Sequence, residues 1–136
     1  MANVAQIKIF NPPQLGTPLG QYSQVSRVKA SEFIFIAGQV GARADGTIVE
    51  GFDAQCAQAF ANTQTALESC GATWANVVQF TTYLVHSQDI ALFMNYRLRE
   101  FPRMFPNGVY PPNTLLMIDR LVKESLLFEV HTIAAL

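Results

Sequence analysis

The chain has 136 residues, half of them hydrophobic, with nine Lys and Arg against ten Asp and Glu for a formal net charge of −1. That length suits one domain spanning residues 1–136, with enough chain to bury one core. The composition excludes a disordered chain, which would be rich in charge and poor in apolar residues. The charge balance excludes the broad basic surface of a nucleic-acid binder.

Residues 11–20 are rich in Pro and Gly and read as an irregular arm. Residues 24–29 mix apolar and polar positions and predict a strand. Residues 32–37 are apolar, β-branched and aromatic and predict a buried strand that Gly38 ends. Ala44-Asp45-Gly46 marks a turn. The period then changes. Phe52, Cys56, Ala59, Phe60, Thr63, Ala66, Leu67 and Cys70 recur at three- and four-residue steps, so residues 52–70 predict an amphipathic helix that Gly71 stops. Residues 77–85 can bury both faces, as a central strand does. Ser87 offers a cap for a second helix over about 89–101, ended by Pro102. After a Pro/Gly-rich loop, residues 114–121 and 126–134 predict two strands joined by a turn at 123–125. The order is β-β-α-β-α-β-β, an α+β sandwich with two helices on one face of a single sheet.

Such a sheet leaves its second face bare, and a partner subunit is the natural cover. Charged residues make up only 14% of the chain, against about 25% in an average soluble domain. Depletion of this kind is expected where surface is buried between subunits. Cys56 and Cys70 fall in one predicted helix, about 21 Å apart by helical rise, too far for a disulfide. A reduced, cytoplasmic protein is expected. The N-terminus has no signal-peptide pattern, and no apolar run approaches a membrane span. His86 and His131 are not spaced with the cysteines as zinc ligands, so no metal is expected.

An ordered set of segments carries a family resemblance. Tyr22-Ser23-Gln24, Phe35 to Gln39, Gln55 with Asn62, Gly71, Asn76-Val77-Val78 with Thr82, Pro111 to Thr114, Asp119-Arg120-Leu121 and Glu129 to Ala134 together resemble the RidA/YjgF family. The resemblance runs over nearly the whole chain. It implies a chorismate-mutase-like fold, a homotrimer whose sheets line a central barrel, and small-molecule sites in clefts between subunits. It also implies hydrolysis of reactive enamines and imines, such as 2-aminoacrylate and 2-iminopropionate, to keto acids and ammonia without a cofactor. In the family an arginine before the fifth strand grips the substrate carboxylate, and a glutamate in the last strand positions water.

By that resemblance Glu129 is the water-holding residue, the alternative being an ordinary strand carboxylate. Asn113 stands at the arginine position. Leu115 stands where a cysteine is frequent and Ala37 where a serine is frequent. An amide in place of a guanidinium exchanges a charge-assisted pair, about 1.5–3 kcal/mol, for a neutral hydrogen bond of about 1 kcal/mol. Tyr22 corresponds to a pocket-wall tyrosine, or simply packs the arm. Asn95 lies near the family's pocket asparagine, with Met94 the competing match. His131, two residues after Glu129, shares its face and is either an accessory base or an interface histidine. Arg103 is a candidate substitute cation or a solvated loop residue, whereas Arg120 reads as a structural ion-pair residue. Phe93, Trp74 and Phe101 read as core or interface, and both cysteines as small buried residues of the helix face.

The expectation is therefore a hydrolase of an imine, enamine or related small unsaturated metabolite, in an arginine-lacking branch of the family. The alternative is a trimer that binds a small metabolite without turning it over. Neither reading calls for a nucleic acid or a membrane.

Overall fold

The computed structural model describes residues 4–136. The elements run β1 (Gln6–Phe10), β2 (Val25–Lys29), β3 (Phe33–Val40), α1 (Phe52–Ser69), β4 (Val77–Leu84), α2 (Asp89–Met104), β5 (Asn113–Met117) and β6 (Phe128–Ala135). The α+β class with two helices holds, and the central elements lie close to their predicted bounds.

The strands differ in number and pairing. β1 was not predicted, and it pairs antiparallel with β2 in a separate two-stranded ribbon. β3, β6, β4 and β5 form a four-stranded mixed sheet in that order. The ribbon is tied to this sheet where Ser26 Oγ donates to Val78 O at 2.7 Å and Ser23 bridges to Pro112. β5 and β6 are not partners: β4 lies between them, parallel to β5 and antiparallel to β6. β5 ends at Met117, four residues before its predicted end, because the chain turns there. Arg120 holds that turn, bonding Glu124 at 2.8 Å and the carbonyls of Leu121 and Val122 at 3.0 and 3.2 Å.

β3 does not stop at Gly38. It continues to Val40 through a bulge between Ile36 and Gln39. α2 passes Pro102 and ends at Met104, with Phe105 N–H bonded to Phe101 O at 2.7 Å. The proline sits in the last turn, where it removes only one intrahelical bond. α2 also starts without the side-chain cap expected of Ser87. α1 ends as predicted, with Gly71 at φ 74° and Ala72 N–H returned to Leu67 O at 2.9 Å.

Both helices cover the same side of the sheet. Phe60 of α1 is the hub of the core, with ring centroids of Trp74, Phe80, Tyr96, Phe101 and Phe128 at 5.6–6.2 Å. Two polar side chains staple α1 to the loops around it. Gln55, 2% exposed, donates to Val49 O and Ser125 O and accepts from Leu127 N–H. Asn62 donates to Val40 O and Ala42 O. A Cβ on Gly41 would lie 2.6 Å from Gln55 backbone and side chain, so that approach needs a glycine.

Candidate functional site

Strand alternation divides the predicted site residues between two faces of the sheet. On β6, Phe128, Val130, Thr132 and Ala134 point into the core, while Glu129, His131 and Ile133 stand on the uncovered face. Register carries the pattern to β4, where Thr81 lies opposite His131 and Tyr83 opposite Glu129. The Glu129 carboxyl group folds over Gly38 on β3. A Cβ at that glycine would lie 2.5 Å from its Cδ and Oε2. Ala37 is the exposed residue beside Gly38. The main-chain bulge and the absent side chain at Gly38 together make room for the carboxylate. Burial raises the Glu129 pKa above the ordinary carboxylate value, against a smaller lowering by His131 nearby. A carboxylate so placed can accept a proton more readily than an exposed one. An open cleft of about 620 Å³ adjoins it, lined by Gly38, Gln39, Arg43, Gln58 and Asn62 among others.

Asn113 lies on the other side. Its register partner is Phe80, a core residue, and its amide donates to Thr82 Oγ1 at 3.2 Å. Leu115, paired with Thr82, packs against the core on this same side. Within one subunit, then, Glu129 and His131 come together with Ala37, while Asn113 and Leu115 are brought together beneath the helices.

Tyr22 is half-buried in the arm, its hydroxyl accepting from Leu19 N–H at 3.3 Å. Of the two α2 candidates, Met94 faces the arm, in contact with Gly20 and Arg97, whereas Asn95 is exposed. Arg103 does not reach Asn113. It is exposed and lies 3.8 Å from Glu100 one turn back on α2. Phe93 and Phe101 are core residues, 0% and 1% exposed. Cys56 is buried, and burial pushes its thiol pKa far up. Cys70 is exposed, not buried as expected, because α1 ends one residue earlier. No three His, Cys, Asp or Glu side chains gather as for a metal ion among the described residues.

Arg97 was missed. It is 2% exposed, and its guanidinium carbon lies 4.6 Å from the Phe93 ring centroid and 5.7 Å from that of Tyr22. The signal was present, since Phe93, Arg97 and Phe101 recur every four residues on the apolar face of α2. A charge in that stripe goes unnoticed when only apolar positions are counted.

Known proteins resemble this chain along most of its length. The profile of the family described as Endoribonuclease L-PSP matches residues 14–136. A RutC family protein from Pyrococcus horikoshii is 32% identical over 119 residues, 86% of this chain and 88% of that protein. A protein from Dermatophagoides farinae named 2-iminobutanoate/2-iminopropanoate deaminase is 25% identical over 123 residues, 85% of this chain and 94% of its own. Among solved structures, YyfB from Yersinia pestis, a protein of unknown function of the conserved Rid protein family, superposes with a TM-score of 0.84. It is 25% identical, with 96% of this chain and 98% of that one covered. No helix among the described residues is long and apolar enough to cross a membrane. A profile match along most of its length, together with a 32%-identical relative, makes this chain a member of the RidA/YjgF family.

Proposed function

We propose that the chain is the subunit of a homotrimeric hydrolase, one RidA-like domain over residues 1–136, that cleaves a small imine or enamine to a carbonyl compound and ammonia. Glu129 carries this reading. Its carboxyl group is folded against Gly38 on the uncovered sheet face, with His131 beside it and a raised proton affinity. The deaminase from Dermatophagoides farinae supports it as a distant relative. In the reaction, a water held by Glu129 adds to the carbon of the protonated imine and gives one proton to the carboxylate, leaving a neutral carbinolamine. Glu129 returns that proton to the nitrogen, and as the C–N bond breaks to release ammonia the hydroxyl proton passes to the carboxylate and on to solvent, leaving the carbonyl product. No redox partner or cofactor is needed for this balance, and the chain needs only to position the water and the substrate.

The trimer is supported by the uncovered face, where Phe33 and Phe35 are 49% and 70% exposed and Leu116 is 42% exposed. The two free cysteines suit a reducing, cytoplasmic setting. The net charge of −1 weighs against RNA as substrate, whatever the name of the family profile.

A second reading, a trimer that binds a small metabolite without hydrolysing it, is favoured by Asn113. In place of the family arginine stands an amide already bonded to Thr82 on the helix-covered side. Ammonia release from freshly generated 2-iminopropionate separates the two. The hydrolase reading expects acceleration over the spontaneous rate and a loss of roughly 100-fold or more in Glu129→Gln. No acceleration by the unaltered protein would leave the binding reading.

A further inference from the structure

Five buried side-chain atoms have no hydrogen-bond partner among the described residues: Asp89 Oδ2, Arg97 Nε and Nη1, Asn113 Oδ1 and Thr132 Oγ1. Asp89 opens α2, where the helix dipole compensates a carboxylate. Arg97 has no such compensation. It lies in mid-helix, and the ion pairs found join other arginines: Arg99 with Asp53, Arg103 with Glu100 and Arg120 with Glu124. Its one donated bond goes to the weak acceptor Met94 Sδ at 3.0 Å. The faces of Phe93 and Tyr22 attract the cation, but they use none of its in-plane N–H donors. Burial draws its pKa down to about 10, so it stays charged at neutral pH. A buried charge with idle donors is costly unless a counter-charge joins it.

The neighbourhood says where that counter-charge comes from. Tyr22, against the guanidinium, precedes Ser23, which bridges to Pro112, the residue before Asn113. Phe93, also against the guanidinium, packs at 5.1 Å on Phe128, the residue before Glu129. Arg97 is thus set between the arm, the start of β5 and the start of β6. We propose that Arg97 is the anion-binding residue of this protein, holding the carboxylate of a small organic acid in place of an arginine at position 113. The idle N–H groups on Nε and Nη1 lie on different edges of the guanidinium, so each offers a single charge-assisted hydrogen bond to a carboxylate oxygen, and the Tyr22 ring can lie against a flat ligand. Entry requires the arm at Gly20–Ser23 to lift, since Met94 and Tyr22 cover the site. The inference rests on the reading of a small-metabolite ligand given above, but not on its hydrolysis.

The test titrates the intact protein with 2-oxobutanoate and with its neutral methyl ester, in the unaltered chain, Arg97→Met and Arg97→Lys. The acid should bind in preference to the ester, and Arg97→Met should weaken the acid roughly tenfold to a hundredfold while sparing the ester. Arg97→Lys should keep the preference for the acid with lower affinity. Without ligand, Arg97→Met should melt higher than the unaltered protein, because it removes a buried unpaired charge. A structural arginine would behave in the opposite way. Equal affinity in Arg97→Met, a lower melting temperature, or no binding of the acid by the unaltered protein would overturn the proposal. So would loss of the oligomer in Arg97→Met, which would assign the guanidinium to a neighbouring subunit's carboxylate. Hydrolysis of imines with KM unmoved in Arg97→Met would sink this inference and leave the hydrolase standing. Binding through Arg97 without hydrolysis would do the reverse.

Discussion

Neighbouring residues of β6 live in two different environments. Phe128, Val130, Thr132 and Ala134 are 0% exposed beneath the helices, while Glu129, His131 and Ile133 stand half-buried on a face the subunit does not cover. The covered side is an aromatic core gathered around Phe60. The uncovered side is also apolar along β3, but there Phe33 and Phe35 meet solvent. The same residue type stabilises the fold on one side and awaits a partner on the other. The titratable groups of the proposed reaction sit on the side where burial is incomplete.

The comparison is broken most directly by matched truncations. Phe128→Ala should cost about 3–5 kcal/mol in urea unfolding, since it opens a cavity among rings that cannot close over it. Phe35→Ala, measured under conditions where the subunit is alone, should stay within about 0.5 kcal/mol. Equal costs would mean that the two faces are not distinct. Next in size is Phe35→Asp. Burying one phenylalanine contributes about 1.5–3 kcal/mol, so a charge there should shift the assembly from trimer to lone subunits in light scattering, with the helical circular dichroism intact. A trimer that survives the substitution would place the interface elsewhere.

The smallest effect is a pH dependence. Glu129 has its pKa raised by burial in the folded chain. The stability this group contributes is therefore complete below the unfolded pKa, near 4.3, and is lost as pH rises through the higher folded value. Glu129→Gln should melt slightly above the unaltered protein at pH 7, and the difference should vanish below about pH 4. A difference that grows in acid would mean that the carboxylate is held by a favourable partner instead.

Much of the fold was legible because its signals are local. The three- and four-residue recurrence from Phe52 to Leu67 outlines α1, and Gly71 follows at positive φ where the helix must stop. Within the site, the two-residue spacing of Glu129 and His131 placed them on one face. Gln55 and Asn62, which helped to carry the family resemblance, are staples between α1 and the loops. Their partners lie up to 72 residues away, so no reading of helix period could supply them.

By itself, then, the amino-acid sequence determined the class of fold, both helices and the alternation of β6. Each of these depends on residue type and on spacing within a few turns of chain. Only the tertiary structure decided that β1 forms a ribbon with β2, that β4 separates β5 from β6, and that Asn113 and Glu129 lie on opposite faces of one sheet. It also decided that Arg97, an ordinary helix residue by composition, is a buried cation against the rings of Phe93 and Tyr22. Strand pairing and the burial of a charge depend on which distant segments meet, and that is settled by packing the whole chain around one core.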